Sequence, residues 1–259
     1  MTASVSAVEA LRWSSLLTGL GVIAAAADLM AGSRFFSEGG LLGAADTIRR
    51  RLILLAAAQC VCGFLCMPIA GLGWVRSLAL FGAVAIPYLS ARLVPFGHDG
   101  STQMLRVVAA ALFVQSLAPS DALLLRASLW VIGMQTVLCY VTAGVTKLAM
   151  PDWRGGQYLR EVFATEAYGR EWAAGLVRNA AVAAALSRGV IAFECAFLAV
   201  PFAGANTAIA FCAAAAMFHL LNAIIMGLNL FVWSFAGAYP GLVFLASDVA
   251  SMLSASATK

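Results

Sequence analysis

Apolar residues in this chain come in long blocks separated by short polar segments, with no strand-like alternation. A helix rising 1.5 Å per residue needs about 20 mostly apolar residues to cross the hydrocarbon core of a bilayer. On that ruler, spans fall near 11–31, 52–74, 77–95, 104–119, 124–149, 187–204, 205–226 and 228–249. The run at 104–119 is short, and the stretch from Phe202 to Ala246 needs a break near Gly227 or at Ala203-Gly204, so seven or eight crossings are predicted. The pattern predicts an all-α fold, a polytopic integral membrane helical bundle, with residues 1–259 forming a single transmembrane domain.

Three connectors hold most of the polarity: Ala31–Arg51, Val94–Gln103 and Pro151–Ser187. Only the last is long. It mixes Leu159, Phe163 and Trp172 with Arg160, Arg170 and Arg178, the composition of an amphipathic helix lying in the membrane interface. The first apolar block has a single Arg12 near its start and no small-residue cleavage site, which predicts a retained span and not a removable signal peptide. Arginines favour the first, third and fifth connectors, with four, about two and five against one each in the second and fourth. By the positive-inside rule those odd connectors would be cytoplasmic.

Composition agrees: 63% of residues are hydrophobic and 11% charged, where a soluble domain carries about 25% charged residues. Mean hydropathy is +0.92. Too few polar side chains remain to cover a water-facing surface, which predicts a multi-pass protein of the cell membrane with lipid as its constant partner. The formal charge of +4 comes from arginine, since only Lys147 and Lys259 are lysines among sixteen basic residues. No basic stripe interleaved with exposed aromatics appears, so nucleic acid is not an expected partner. The six cysteines, Cys60, Cys62, Cys66, Cys139, Cys195 and Cys212, sit inside apolar runs as small packing residues. Cys60-Val61-Cys62 lacks the two-residue spacer and partners of a zinc site, and no metal is predicted.

Ionisable groups inside spans cost about 3 kcal/mol each on insertion scales, and four of them carry the most information: Asp28, Lys147, Glu194 and His219. Asp28 lies close enough to the end of its span to reach the interface. Lys147 stands just before Pro151, where it could snorkel to the headgroups. Tyr140, Gly144 and Lys147 share one helical face, and Ala143-Gly144 would let another helix approach it closely. Glu194 has no lysine or arginine within five residues, so its partner must come from another helix. His219 is followed by Asn222, Met226 and Asn229 in a narrow polar stripe, readable as interhelical glue or as a protonatable substrate contact. A desolvated, neutral Lys147 would serve as a general base, whereas a nearby Glu194 or Asp28 would hold it as ammonium.

Four blocks resemble the HTTM superfamily, the membrane domain shared by vitamin K-dependent gamma-carboxylases and many bacterial proteins. The first is Gly39-Gly40-Leu41-Leu42, similar to the family's Gly-Leu/Val-Leu turn, and the second is the polar turn at 97–106 that includes Asp99. The third and most specific runs through Gln135, Tyr140, Ala143, Gly144, Val145, Lys147 and Leu148 to Asp152-Trp153. The fourth is the Phe218-His219 segment with Asn222, extending to Pro240. The resemblance implies that Lys147 matches the carboxylase lysine regarded as the base for vitamin K hydroquinone, so that a reduced quinone is the implied cofactor. It implies that His219 and Asn222 orient the quinol oxygen, with Gln135, Tyr140 and Asp99 lining the pocket and Lys147 and His219 catalytic; Glu194, outside the four blocks, is expected in the same pocket because so few polar groups survive in the spans.

Departures limit that expectation. Thr146 stands where the animal enzymes have another lysine, and Asp99-Gly100 lies in the region of their Asn-His pair. The last predicted span ends about ten residues before Lys259, which leaves no room for a propeptide-docking domain. The resemblance therefore points to a short bacterial member with quinol-linked or peptide-maturing chemistry, acting on a lipid-soluble quinol or a small secreted peptide. If it is an enzyme, it would be carboxylase-like or a quinol-oxidising lyase or oxidoreductase. Family topology would place the odd connectors outside, against the arginine count. The alternatives are a non-catalytic membrane partner or transporter subunit whose buried polar groups are structural, and a DoxX-like redox subunit, a class with about half as many spans.

Overall fold

The computed structural model describes residues 6–36, 46–68, 73–93, 99–166, 168 and 170–257. Every element among them is helical. The predicted turn at Gly39-Gly40-Leu41-Leu42 lies outside the described residues, as do Gly97 and His98 of the second block.

One compact unit holds residues 5–133 and 233–244. It contains α1 (Ala7–Gly32, continued as a 3-10 turn through Phe36), α2 (Asp46–Cys66), α3 (Gly73–Leu93), α4 (Gly100–Leu117) and the start of α5 (Ala122–Ala149). α1 packs on α2, α2 on α3, α3 on α4 and α4 back on α1, closing a four-helix bundle. Local chemistry sets the helix starts. Ser6 Oγ accepts from Glu9 N at 3.2 Å, capping α1, and donates to the Glu9 carboxylate at 3.0 Å. Asp99 accepts from Ser101 N at 3.0 Å and Thr102 N at 3.2 Å to open α4. Asp121 accepts from Leu123 N at 2.8 Å and Leu124 N at 3.0 Å to open α5. α1 and α2 cross where both lack side chains: a Cβ on Gly19 would lie 2.6 Å from Gly63 O. Such contacts replace hydrophobic collapse as the cohesive term between helices in lipid.

The other unit takes residues 134–232 and 245–259. It holds the rest of α5, then α6 (Pro151–Arg154), α7 (Gln157–Ala164), α8 (Glu171–Leu176), α9 (Ala180–Ala196, continued as a 3-10 turn to Phe202) and α10 (Gly204–Met226). It also takes the first turn of α11 (Asn229–Ala236) and the last part of α12 (Tyr239–Ala257).

Six helical stretches among the described residues are long and apolar enough to cross a membrane: Ala7–Phe36, Gly73–Leu93, Ala122–Ala149, Ala180–Phe202, Gly204–Met226 and Asn229–Ser256. α2 and α4 occupy the places of the second and fourth predicted spans, but Arg49, Arg50 and Arg51 in one and Gln103, Arg106 and Gln115 in the other dilute their apolarity. Polarity is distributed inside out, as lipid demands. Ser14, Ser15, Thr18, Gln59, Gln115 and Thr136 are buried, while Leu54, Phe64, Leu78 and Leu138 are exposed. The chain is an integral membrane protein by this distribution.

Both predicted breaks in the Phe202–Ala246 stretch are present: Gly204 has φ 78° and Gly227 φ 75°, the left-handed conformation that glycine takes without strain. Other boundaries moved. α2 runs from Asp46 to Cys66 and not 52–74, ending just ahead of Pro68. α9 starts at Ala180 and not 187, because Asn179 accepts from Ala181 N at 2.9 Å and Val182 N at 3.4 Å and caps the alanine-rich turn. The region read as one interfacial helix is divided among α6, α7 and α8, with extended backbone at Thr165 and Arg170 between the last two.

Candidate functional site

The face of α5 that carries Tyr140, Gly144 and Lys147 packs on α9 within a single unit. Tyr140 stacks on Phe197 with ring centroids 3.8 Å apart and planes 12° apart. A Cβ on Gly144 would meet Cys195 N at 2.8 Å and Glu194 Cβ at 2.9 Å. Lys147 Nζ donates to Glu194 Oε1 at 2.6 Å and to Oε2 at 2.7 Å. Beyond α5, Ser187 Oγ donates to Trp153 O. Numbers rise along α5 and α6 as they fall along α9, so the helices run antiparallel. Gly144 is the close-approach point that lets an amine and a carboxylate meet.

The Lys147–Glu194 pair supplies the interhelical partner that Glu194 requires. The lysine side chain is 20% exposed and the carboxylate 5%, so two charges that would each be costly in hydrocarbon meet and neutralise one another. The Lys147 ammonium also lies 5.7 Å from the Trp153 ring centroid, within cation–π range. Lys147 therefore turns inward to a carboxylate instead of snorkelling to the headgroups.

Two helical turns back along α5, about 10 Å in rise, Tyr140 Oη lies 2.8 Å from His219 Nε2. Both residues are buried. Aromatic rings enclose them: Phe193 packs edge-on to Tyr140 at 6.1 Å, Phe218 lies 5.3 Å from His219, and Phe231 stacks on the imidazole at 5.7 Å and 25°. Asn222 follows one turn after His219 and is half-buried. The predicted stripe stops there, because α10 ends at Met226 and Asn229 is exposed beyond Gly227.

The remaining candidates lie elsewhere. Gln135 donates to Cys139 Sγ at 3.2 Å within α5. Asp99 belongs to the other unit, where its carboxylate is occupied in capping α4. Asp28 is exposed in the last part of α1. All six cysteines are free. The aromatic enclosure escaped the sequence reading, although Phe193 and Phe197, one turn apart on either side of Glu194, were a usable signal for a second helix facing Tyr140.

Chemically, the unit offers two polar rungs in an apolar wall: an ion pair able to hold a proton on nitrogen or oxygen, and a phenol–imidazole hydrogen bond. Residues 121–247, just under half of the chain and the part that carries both rungs, match the family model of the HTTM domain. No curated protein and no solved structure matches the chain.

Proposed function

From the premise that this chain belongs to the HTTM superfamily through residues 121–247, we propose that it is a multi-pass cell-membrane protein performing acid–base chemistry on a lipid-soluble quinol, with Lys147 and His219 as the reacting groups. The observation that carries this reading is the pair of polar rungs, Lys147–Glu194 and Tyr140–His219, held on one face of α5 in apolar surroundings.

The aromatic surroundings support a quinol as ligand: Phe193, Phe197, Phe218 and Phe231 pack around Tyr140 and His219, and rings of this kind are favourable neighbours for an aromatic headgroup. A reduced quinone bound there would supply electrons and two acidic hydroxyls. Lys147 Nζ receives a proton only when the one it carries rests on Glu194, so the pair works as a unit that stores a proton at Nζ or at a carboxylate oxygen. Tyr140 Oη fixes the His219 ring through Nε2, and the half-buried Asn222 one turn away would orient a ligand oxygen. A small secreted peptide is the second substrate class compatible with this family, since the same base would act on an acidic hydrogen of a side chain.

One observation favours a different reading, in which the groups are structural and the protein is a non-catalytic membrane partner or transporter subunit. Glu194 closes on Lys147 with both oxygens, as interhelical glue would. Lipid extraction of the purified protein followed by mass spectrometry separates the two. A quinone that co-purifies with the wild type and is lost from Lys147→Met/Glu194→Met while that variant stays folded supports the enzyme. Absence of quinone from the wild type, with normal function in the double variant, supports the structural role.

A further inference from the structure

Arg76 stands in the first turn of α3, half-buried in the unit formed by residues 5–133 and 233–244. Its Nη2 donates to Ser15 Oγ at 2.6 Å, and Ser15 in turn donates to Leu11 O at 2.8 Å, so the serine holds the guanidinium in place and has nothing further to offer. The Nε–H is buried without an acceptor. Among the described residues no carboxylate reaches Arg76 within ion-pair distance. Its one ionisable neighbour of note is the Cys66 thiol on α2. The carboxylates at the same ends of α1 and α5 are engaged in capping: Glu9 with Ser6, and Asp121 with the amides of Leu123 and Leu124.

A guanidinium does not shed its proton, so a full positive charge persists in an apolar setting with its burial poorly compensated. The flanking residues place it along the membrane normal. Trp13 and Trp74, two positions from Ser15 and Arg76, are 58% and 74% exposed, and tryptophans of this kind collect at headgroup level. At that depth the anion in constant supply is the lipid phosphate, whose oxygens match the planar donor fork of arginine.

We propose that Arg76, oriented by Ser15, seats the phosphate of an anionic membrane lipid between α1 and α3. The site is independent of the chemistry proposed for Lys147 and His219 and stands or falls without it.

The full-length protein in detergent, titrated with phosphatidylglycerol or phosphatidylcholine and read by native mass spectrometry, tests this. Wild type is expected to hold one saturable phosphatidylglycerol adduct that phosphatidylcholine does not displace. Arg76→Gln is expected to weaken it about tenfold or more, the worth of a charge-assisted bond. Arg12→Gln, which removes an exposed charge at the same level, is expected to weaken it less than about threefold. If Arg76→Gln does not accumulate, Arg76→Met replaces it, and undiminished retention there overturns the proposal. So do the absence of a saturable adduct on wild type, and equal losses from the Arg76 and Arg12 variants, which would mean diffuse surface charge. Displacement by millimolar inorganic phosphate would reassign the site to free phosphate and overturn the lipid assignment.

Discussion

Tyr140 and His219, 79 positions apart in sequence, share a 2.8 Å hydrogen bond in the interior of the unit that carries most of the HTTM match. Tyr140 contributes in two ways, since its ring stacks on Phe197 and its hydroxyl meets the imidazole. Tyr140→Phe keeps the stack and removes the bond, with an expected loss of about 1–2 kcal/mol. Tyr140→Ala removes both and is expected to cost about 3–5 kcal/mol. Thermal unfolding in one detergent measures the difference. No loss in Tyr140→Phe would show that the hydrogen bond contributes nothing, and equal losses in the two variants would show the same of the stack.

Removing one member of the Lys147–Glu194 pair leaves the other charge uncompensated. Lys147→Ala alone is therefore expected to destabilise by about 3–5 kcal/mol, whereas Lys147→Met/Glu194→Met is expected to recover most of that loss. A single lysine variant cannot separate catalysis from folding; the apolar double variant can. Stability and quinone retention measured on all three proteins give the answer, and a double variant no more stable than the single one would contradict the pairing.

Gly144 decides whether α5 and α9 can touch. A Cβ there would lie 2.8 Å from Cys195 N, which is backbone and cannot swing aside. Gly144→Ala is expected to cost about 1–3 kcal/mol through overpacking, and Gly144→Val more. A disulfide or bifunctional cross-link between cysteines introduced on the two helices should form less readily in the valine variant. Unchanged cross-linking would show that the helices are not held at this point.

Three glycines among the described residues adopt positive φ, yet their surroundings differ. Gly204 and Gly227 have open space where a Cβ would go, so alanine at either is expected to cost only the left-handed penalty of about 1–2 kcal/mol. At Gly156 a Cβ would lie 2.4 Å from Ala183 C and 2.5 Å from Ala184 N, packed against α9. Gly156→Ala is expected to lower the melting temperature more than the other two, and a ranking with Gly156 mildest would sink this account.

Six of the predicted spans were legible because hydrocarbon imposes a length and an apolarity that few residues can violate; the segments at 52–74 and 104–119 are too polar to count with them. The breaks at Gly204 and Gly227 were legible because glycine alone enters left-handed backbone freely. The start of α9 was missed because Ala180–Leu186, between Arg178 and Arg188, was assigned to the connector; Asn179 was the cap signal that marked the true start. Lys147, Glu194 and His219 stood out by their scarcity, but their partners did not, since contacts 47 and 79 positions apart depend on packing and not on local pattern. Arg76 escaped notice for a related reason: the predicted span began one residue after it, at 77, which made a half-buried cation look like part of a connector.

In the unit formed by residues 5–133 and 233–244, hydroxyls at Ser14, Thr18 and Ser234 are buried while Leu54, Phe64, Leu78 and Leu89 form its exposed perimeter. Conversion to a water-soluble form should therefore begin with the perimeter, where leucine-to-glutamine exchanges keep helix propensity and disturb no packing contact. Filling the interior with larger aliphatic side chains, the usual remedy for a weak soluble protein, would instead prise apart the close helix crossings on which this architecture depends.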